Sequence, residues 1–309
     1  MRSSGSNSQD TAPSLYGRFF WAGFVFGQQY SFEDLGTIEG SESSYAIAVS
    51  DAGTVAGGTD PSGSGGAVWR RGVGWTSLPT LSDGRYVAAQ GIAGSDTVVG
   101  TNYGSTNTAI YWNPQEGSVS MGGWLNNTNS GALGATDNGW VAGRAETVDH
   151  QNHAFRWSKQ TGMEDLGDGY GVAANQAGNV VGTKIDKNIG GTSGFLWVNG
   201  NRNDFGRPPG YRDTYSVGVS ANNEVFGYSF TQNLQNRDAW VRNIDGSFDF
   251  FGRPWGNGVY RTATANEAGM AVGQARTRSN RAWFWTRQSG MVDLGSVLDS
   301  TGTGWHSLS

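Results

Sequence analysis

Three kinds of residue in this chain could do chemistry: histidines beside carboxylates, recurring aspartates, and tryptophans that stand outside a repeat. His150, His153 and His306 are the only histidines. The first two lie in the loop RAETVDHQNH with Glu146 and Asp149 nearby. Such a set ligates a metal only if the loop makes the groups converge, and the reading taken is a solvated loop. Asp34, Asp165, Asp204 and Asp293 each precede a glycine, with Glu33 and Glu164 as neighbours. Paired carboxylates can hydrolyse glycosides, but such pairs face each other across a cleft in unlike surroundings. Residues repeated in equivalent places shape turns, aspartate through its own side chain. The sequence therefore assigns no catalytic residue, no metal ligand and no cofactor. Trp75, Trp124, Trp140 and Trp255 lie off the repeated tryptophan column and are the candidates for stacking on a ligand such as a sugar ring.

The elements that must carry these residues are set by an internal repeat. One motif ends six times, at Gly57, Gly100, Gly143, Gly182, Gly227 and Gly273. Two residues earlier stand Val55, Val98, Val141, Val180, Val225 and Ala271, and eight earlier stand Val49, Ile92, Ala135, Ala174, Val219 and Ala265. Four residues before the glycine come Gly53, Asp96, Gly139, Gly178, Asn223 and Gly269, all residue types that tolerate a left-handed backbone. The motif reads as strand, tight turn, strand, with a polar opener at Ser50, Thr136, Asn175, Ser220 and Asn266. A second hairpin follows each first one: GAVW, AIYW, AFRW, GFLW, AWVR and AWFW place Trp69, Trp112, Trp157, Trp197, Arg242 and Trp285 on one strand face. It closes in glycine at EDLG (Gly167), NDFG (Gly206) and VDLG (Gly295). A further copy is read at the N-terminus, where GFVF puts Phe26 in the tryptophan position and FEDLG closes at Gly36.

Four strands in each repeat unit is the size of a propeller blade, and the Trp and Val columns are expected to pack between blades. The fold expected is all-β, a β-propeller of six to seven four-stranded blades with the last blade incomplete. Residues 1–17 are a polar tail and 18–309 a single repeat domain. Because another first hairpin would be due where the chain ends at Ser309, the sequence reads as a fragment.

Composition narrows the function. A chain of 309 residues with 50 glycines and 7 prolines, lacking a triplet period, is turn-rich and not collagenous. A net charge of −5 without a basic stripe argues against nucleic acid, and no cysteine is available for disulfide, metal or thiol chemistry. The apolar run Phe19–Phe26 is too short to span a bilayer and starts too far from Met1 for the core of a signal peptide. SDAGT and TDNGW resemble the turn called the Asp-box in sialidases, a hairpin marker without a catalytic role.

The unit resembles the HAF repeat of extracellular bacterial proteins, named for a tripeptide present here as His153-Ala154-Phe155. The match is closest in HAFRWSKQTGMEDLG and RAWFWTRQSGMVDLG and covers nearly everything from Gly23 to Gly295; Ser120-Met121-Gly122 departs from it. The resemblance implies an extracellular or cell-surface location and no established activity. The function expected is a noncatalytic binding or adhesion module that meets a glycan or a cell-surface protein through the polar loops between hairpins. The alternative is a polysaccharide-active enzyme with its site at the propeller channel.

Overall fold

A computed structural model describes residues 31, 33–38, 40–60, 65–94, 96–124, 128–187 and 190–297. Among these residues there are 24 strands and one short 3-10 turn. The strands form six blades, each an antiparallel four-stranded sheet in sequence order. Blade I holds β1 (Ser43–Val49), β2 (Val55–Asp60), β3 (Gly66–Arg70) and β4 (Gly74–Ser77). Blade II holds β5 (Gly84–Ala93), β6 (Thr97–Gly104), β7 (Thr108–Asn113) and β8 (Gly117–Gly122). Blade III holds β9 (Ser130–Ala135), β10 (Val141–Glu146), β11 (Asn152–Ser158) and β12 (Gly162–Asp168). Blade IV holds β13 (Tyr170–Ala174), β14 (Val180–Asp186), β15 (Gly191–Val198) and β16 (Asn201–Gly206). Blade V holds β17 (Tyr211–Val219), β18 (Val225–Thr231), β19 (Arg237–Arg242) and the short β20 (Phe248–Phe250). Blade VI holds β21 (Val259–Ala265), β22 (Ala271–Arg276), β23 (Asn280–Thr286) and β24 (Gly290–Asp293). One parallel bridge, Arg237 to Val259, ties blade V to blade VI.

The turn column behaves as the sequence implies. Gly53, Asp96, Gly139, Gly178, Asn223 and Gly269 all have positive φ, between 61° and 89°. The polar opener does a second job: in blades I, III, IV, V and VI its side-chain oxygen accepts the backbone N–H four residues on, as in Trp140 to Thr136 Oγ1 at 3.0 Å and Met270 to Asn266 Oδ1 at 2.9 Å. These openers are the turn's internal acceptors, so four of them are buried without cost.

The repeated glycine that ends each motif is required by packing rather than by φ. A Cβ at Gly57, Gly100, Gly143, Gly182, Gly227 or Gly273 would come inside 3.0 Å of the carbonyl of the residue twelve earlier in the same hairpin. In blades III to VI an aromatic ring of the second hairpin, Phe155, Phe195, Trp240 or Trp283, lies over the same spot. All four rings are fully buried.

Blades meet through the two columns. Val180, Phe195 and Trp197 of blade IV pack on Ala142, Ala154 and Leu166 of blade III, and Tyr260, Trp283 and Trp285 of blade VI pack on Phe226, Val241 and Phe251 of blade V. The Trp and Val columns thus form the faces that meet the preceding blade. The copy read at Gly23–Phe26 lies outside the described residues. Its closing turn is described: Asp34 Oδ1 accepts from Gly36 N at 2.9 Å, as Asp165 does from Gly167 and Asp293 from Gly295.

Candidate functional site

The antiparallel order puts both kinds of hairpin turn at one end of the ring and the loops joining hairpins and blades at the other. Each inner hairpin also carries one cross-strand pair beside the repeated glycine: Tyr45/Gly58, Ala88/Thr101, Gly131/Arg144, Tyr170/Thr183, Tyr215/Tyr228 and Arg261/Gln274. Unlike the packing columns, these positions differ from blade to blade. Small residues occupy blade II, whereas blades III to VI collect aromatics and guanidinium groups.

A cavity of about 340 Å³ opens on the inner strands of blades III to VI, lined by Tyr170, Thr183, Tyr215, Ser216, Tyr228 and Arg261 among others. Tyr215 and Tyr228 stack with ring centroids 5.3 Å apart and an interplanar angle of 17°. Arg261 lies 5.2 Å over the Tyr228 ring, Arg237 lies 4.1 Å over Phe230, and Arg144 lies 5.4 Å over Tyr170. Burial pushes the Tyr228 hydroxyl above its usual range, with Arg261 and Arg237 opposing the shift, so it stays a neutral donor. Among the described residues, Arg144, Arg237 and Arg261 form no ion pair with a carboxylate. Lys184, also on the wall, is paired with Asp204. Ser216 is 2% exposed and its Oγ has no hydrogen-bond partner among the described residues. That hydroxyl is closed off from solvent and lies beside Gly194 of blade IV. Together these groups offer aromatic surfaces and cations for an anion.

Two carboxylates at the turn end each reach another blade. Asp137 of blade III accepts from Gly94 N of blade II, and Glu267 of blade VI accepts from Gln176 N of blade IV. Both stand at the same turn position, which holds Asp51, Gly94, Asp137, Gln176, Ala221 and Glu267 along the six blades. Burial, with a contribution from Asp137, raises the Glu267 carboxyl above the usual carboxylate range. The folded state therefore favours the protonated acid, and stability is lost as pH rises through the raised value. Glu267→Gln keeps an acceptor for Gln176 and removes the charge. Its melting temperature is expected to exceed that of the parent at pH 7.5, with the difference shrinking toward pH 3.5; equal differences at both pH values would show the carboxyl to be unshifted.

The four off-column tryptophans sit in different surroundings. Trp75 Nε1 donates to Gly36 O at 3.0 Å, and Trp124 Nε1 donates to Ala145 O at 3.2 Å. Trp140 lies under the Arg156 guanidinium at 4.6 Å, and Trp255 stacks on Tyr260 at 6.1 Å. All four are half-buried and serve as struts in separate parts of the ring. His153 stands between Asp165 and Asp168, at 2.9 and 3.1 Å, while His150 reaches Glu146 at 3.3 Å. His150 and His153 are thus drawn to different carboxylates, and among the described residues no group of three or more His, Asp or Glu side chains is placed to hold a metal ion. Asp34, Asp165 and Asp293 cap their own turns, but Asp204 instead holds Lys184 and Arg202, whose positive charges lower its carboxyl.

No protein-family model and no curated protein matches this chain. Solved structures do. Prolyl endopeptidases share 16% identity at a TM-score of 0.56, over 80% of this chain and 40% of theirs. Virginiamycin B lyase from Staphylococcus aureus shares 14% at 0.50, over 81% of this chain and 83% of its own. TolB from Acinetobacter baumannii shares 8% at 0.50, over 80% of this chain and 61% of its own. The chain spans less than half the length of the peptidases it matches. What it has in common with all of these is the β-propeller fold.

Proposed function

We propose that this protein is a noncatalytic extracellular or cell-surface binding module, and that its ligand is an acidic glycan held against the wall of Arg144, Tyr170, Tyr215, Tyr228 and Arg261. The observation that carries the reading is a cavity lined by Tyr170, Tyr215, Tyr228 and Arg261, with the Arg261 guanidinium over Tyr228, that of Arg144 over Tyr170, and no carboxylate partner for either. Sugar rings stack on tyrosine faces, and a uronate carboxylate meets arginine in a charge-assisted pair. The resemblance to HAF repeats supports the location.

An enzyme acting on polysaccharide is the second reading. Asp137 and Glu267, two turn-end carboxylates whose charges influence each other, are the observation in its favour. Both already hold backbone N–H groups of other blades, which favours a structural role.

The test is a panel of acidic and neutral polysaccharides, with and without calcium, assayed for binding and for new reducing ends in the same samples. Saturable binding of acidic members without cleavage is the expected result. Tyr215→Ala should lower that affinity about tenfold, roughly 1.4 kcal/mol, by removing one stacking face. New reducing ends that vanish in Asp137→Asn or Glu267→Gln would transfer the function to the second reading.

A further inference from the structure

From the loop end toward the hairpin turns, the inner strands close on one another. The position just before the column of Val49 and Ile92 holds Ala48, Gly91, Gly134, Ala173, Gly218 and Thr264, all small. A Cβ on Gly91 would stand 3.3 Å from Gly134 Cα of the next blade, and one on Gly134 would stand 2.7 Å from Val172 O and 3.2 Å from Ala173 Cα. On Gly218 it would stand 2.9 Å from Ala265 N. The inner strands of blades II, III and IV, and those of V and VI, therefore touch at this level, and a side chain at these glycines would push them apart.

The turns beyond are stitched from blade to blade. Asn138 Nδ2 donates to Gln176 O at 2.6 Å, Asn175 Nδ2 to Ser220 O at 3.0 Å, and Ala221 N to Glu267 O at 3.0 Å, which joins blade III to IV, IV to V and V to VI. Glu267 Oε1 then accepts from Gln176 N, so blade VI reaches blade IV past blade V. A link that skips a blade runs across the inside of the ring.

The cavity stands on this floor. Its lining residues nearest the turns are Leu133, Val172 and Val217, and the next residue on each of those strands, Gly134, Ala173 and Gly218, belongs to the small column. Above them the wall carries Tyr170, Thr183, Tyr215 and Arg261, whereas the bottom is aliphatic. The pit is open toward the loops and shut toward the turns. A polymer lying in it cannot continue past the turns.

We propose, resting on the glycan reading above, that the protein binds the end of an acidic chain and not its interior. The terminal unit descends onto Leu133, Val172 and Val217, and the units behind it leave through the loop end past Ile185 and Thr192. An aliphatic bottom accepts the C–H face of a sugar and offers nothing to a charge, so the acid groups stay at the level of Arg144 and Arg261.

The test titrates oligogalacturonates, from the dimer to a long polymer, into the 309-residue chain at matched chain and at matched sugar concentration. End recognition gives a dissociation constant per chain that stops changing once the pit is filled, so at equal mass the long polymer should bind at least tenfold more weakly than a tetramer. A bulky tag is then placed on the reducing end or on the opposite end. One tag should abolish binding and the other leave it intact. Val172→Phe fills the bottom and should lower affinity for every length at least tenfold while the melting temperature is kept. Affinity per chain that rises in proportion to length, with neither tag nor Val172→Phe having an effect, would overturn end recognition and leave the acidic-glycan reading standing. Absence of binding by every acidic chain would remove both.

Discussion

Gly182→Ala is expected to destabilise the protein by about 3 kcal/mol, the upper part of the range for overpacking a core. The added Cβ would meet the Tyr170 carbonyl and the ring of Phe195, both inside 3.0 Å. Neither can yield easily. Tyr170 pairs with Thr183 in the same inner hairpin, at the edge of an irregular register between Gly171 and Ala173, and Phe195 is fully buried. The contrast is Gly200→Ala. Gly200 has a φ of +84° and nothing within 4 Å of an added Cβ, so its replacement meets only the left-handed backbone penalty of roughly 1–2 kcal/mol. Urea denaturation of both variants followed by tryptophan fluorescence checks the order. A smaller loss for Gly182→Ala than for Gly200→Ala would mean that the ring does not fix the glycine.

Trp240→Ala should cost about 3–5 kcal/mol, as large-to-small replacements of buried aromatics do. The side chain is fully buried and lies between Phe205 and Phe248, with centroids at 6.5 and 5.1 Å and near-perpendicular planes. Its Nε1 donates to Ser229 Oγ at 2.8 Å, and that hydroxyl also meets Thr214 Oγ1 at 2.8 Å. Truncation opens a cavity between blades IV and V and takes one partner from a buried hydroxyl pair. Trp240→Phe keeps most of the ring and loses the donor, so it should cost clearly less. The half-buried Trp75, replaced by alanine, should also cost less than Trp240→Ala. Thermal unfolding of the three variants gives the ranking; Trp75→Ala melting below Trp240→Ala would contradict the placement of the core.

The ranking follows from what repeats. Glycine, valine and tryptophan columns recur because each blade solves one packing problem, and a recurring solution is legible in one sequence. The left-handed turn residues, down to Asp96 and Asn223, were visible for the same reason. The wall beside the axis was not. Its residues stand in columns that read Tyr, Ala, Gly, Tyr, Tyr, Arg and Gly, Thr, Arg, Thr, Tyr, Gln along the six blades. Difference between blades was the signal, and it has no meaning until the sheet register shows that the two columns are cross-strand partners. Tryptophans off the repeat stand out in the sequence, yet Trp124 and Trp255 are tied to Ala145 and Tyr260 by contacts that sequence spacing does not reveal. The influence of Asp137 on Glu267 runs between blades III and VI, a relation that sequence spacing does not carry.

The axial wall is tested most directly by titrating an oligogalacturonate, and a neutral oligosaccharide of the same length, into the parent protein and into the double variant Arg144→Gln, Arg261→Gln. Saturable binding of the acidic ligand, weakened by added salt and reduced at least tenfold in the double variant, with the neutral ligand weak in both, is the result expected. Equal affinity of parent and double variant for the acidic ligand, or tighter binding of the neutral one, would contradict it.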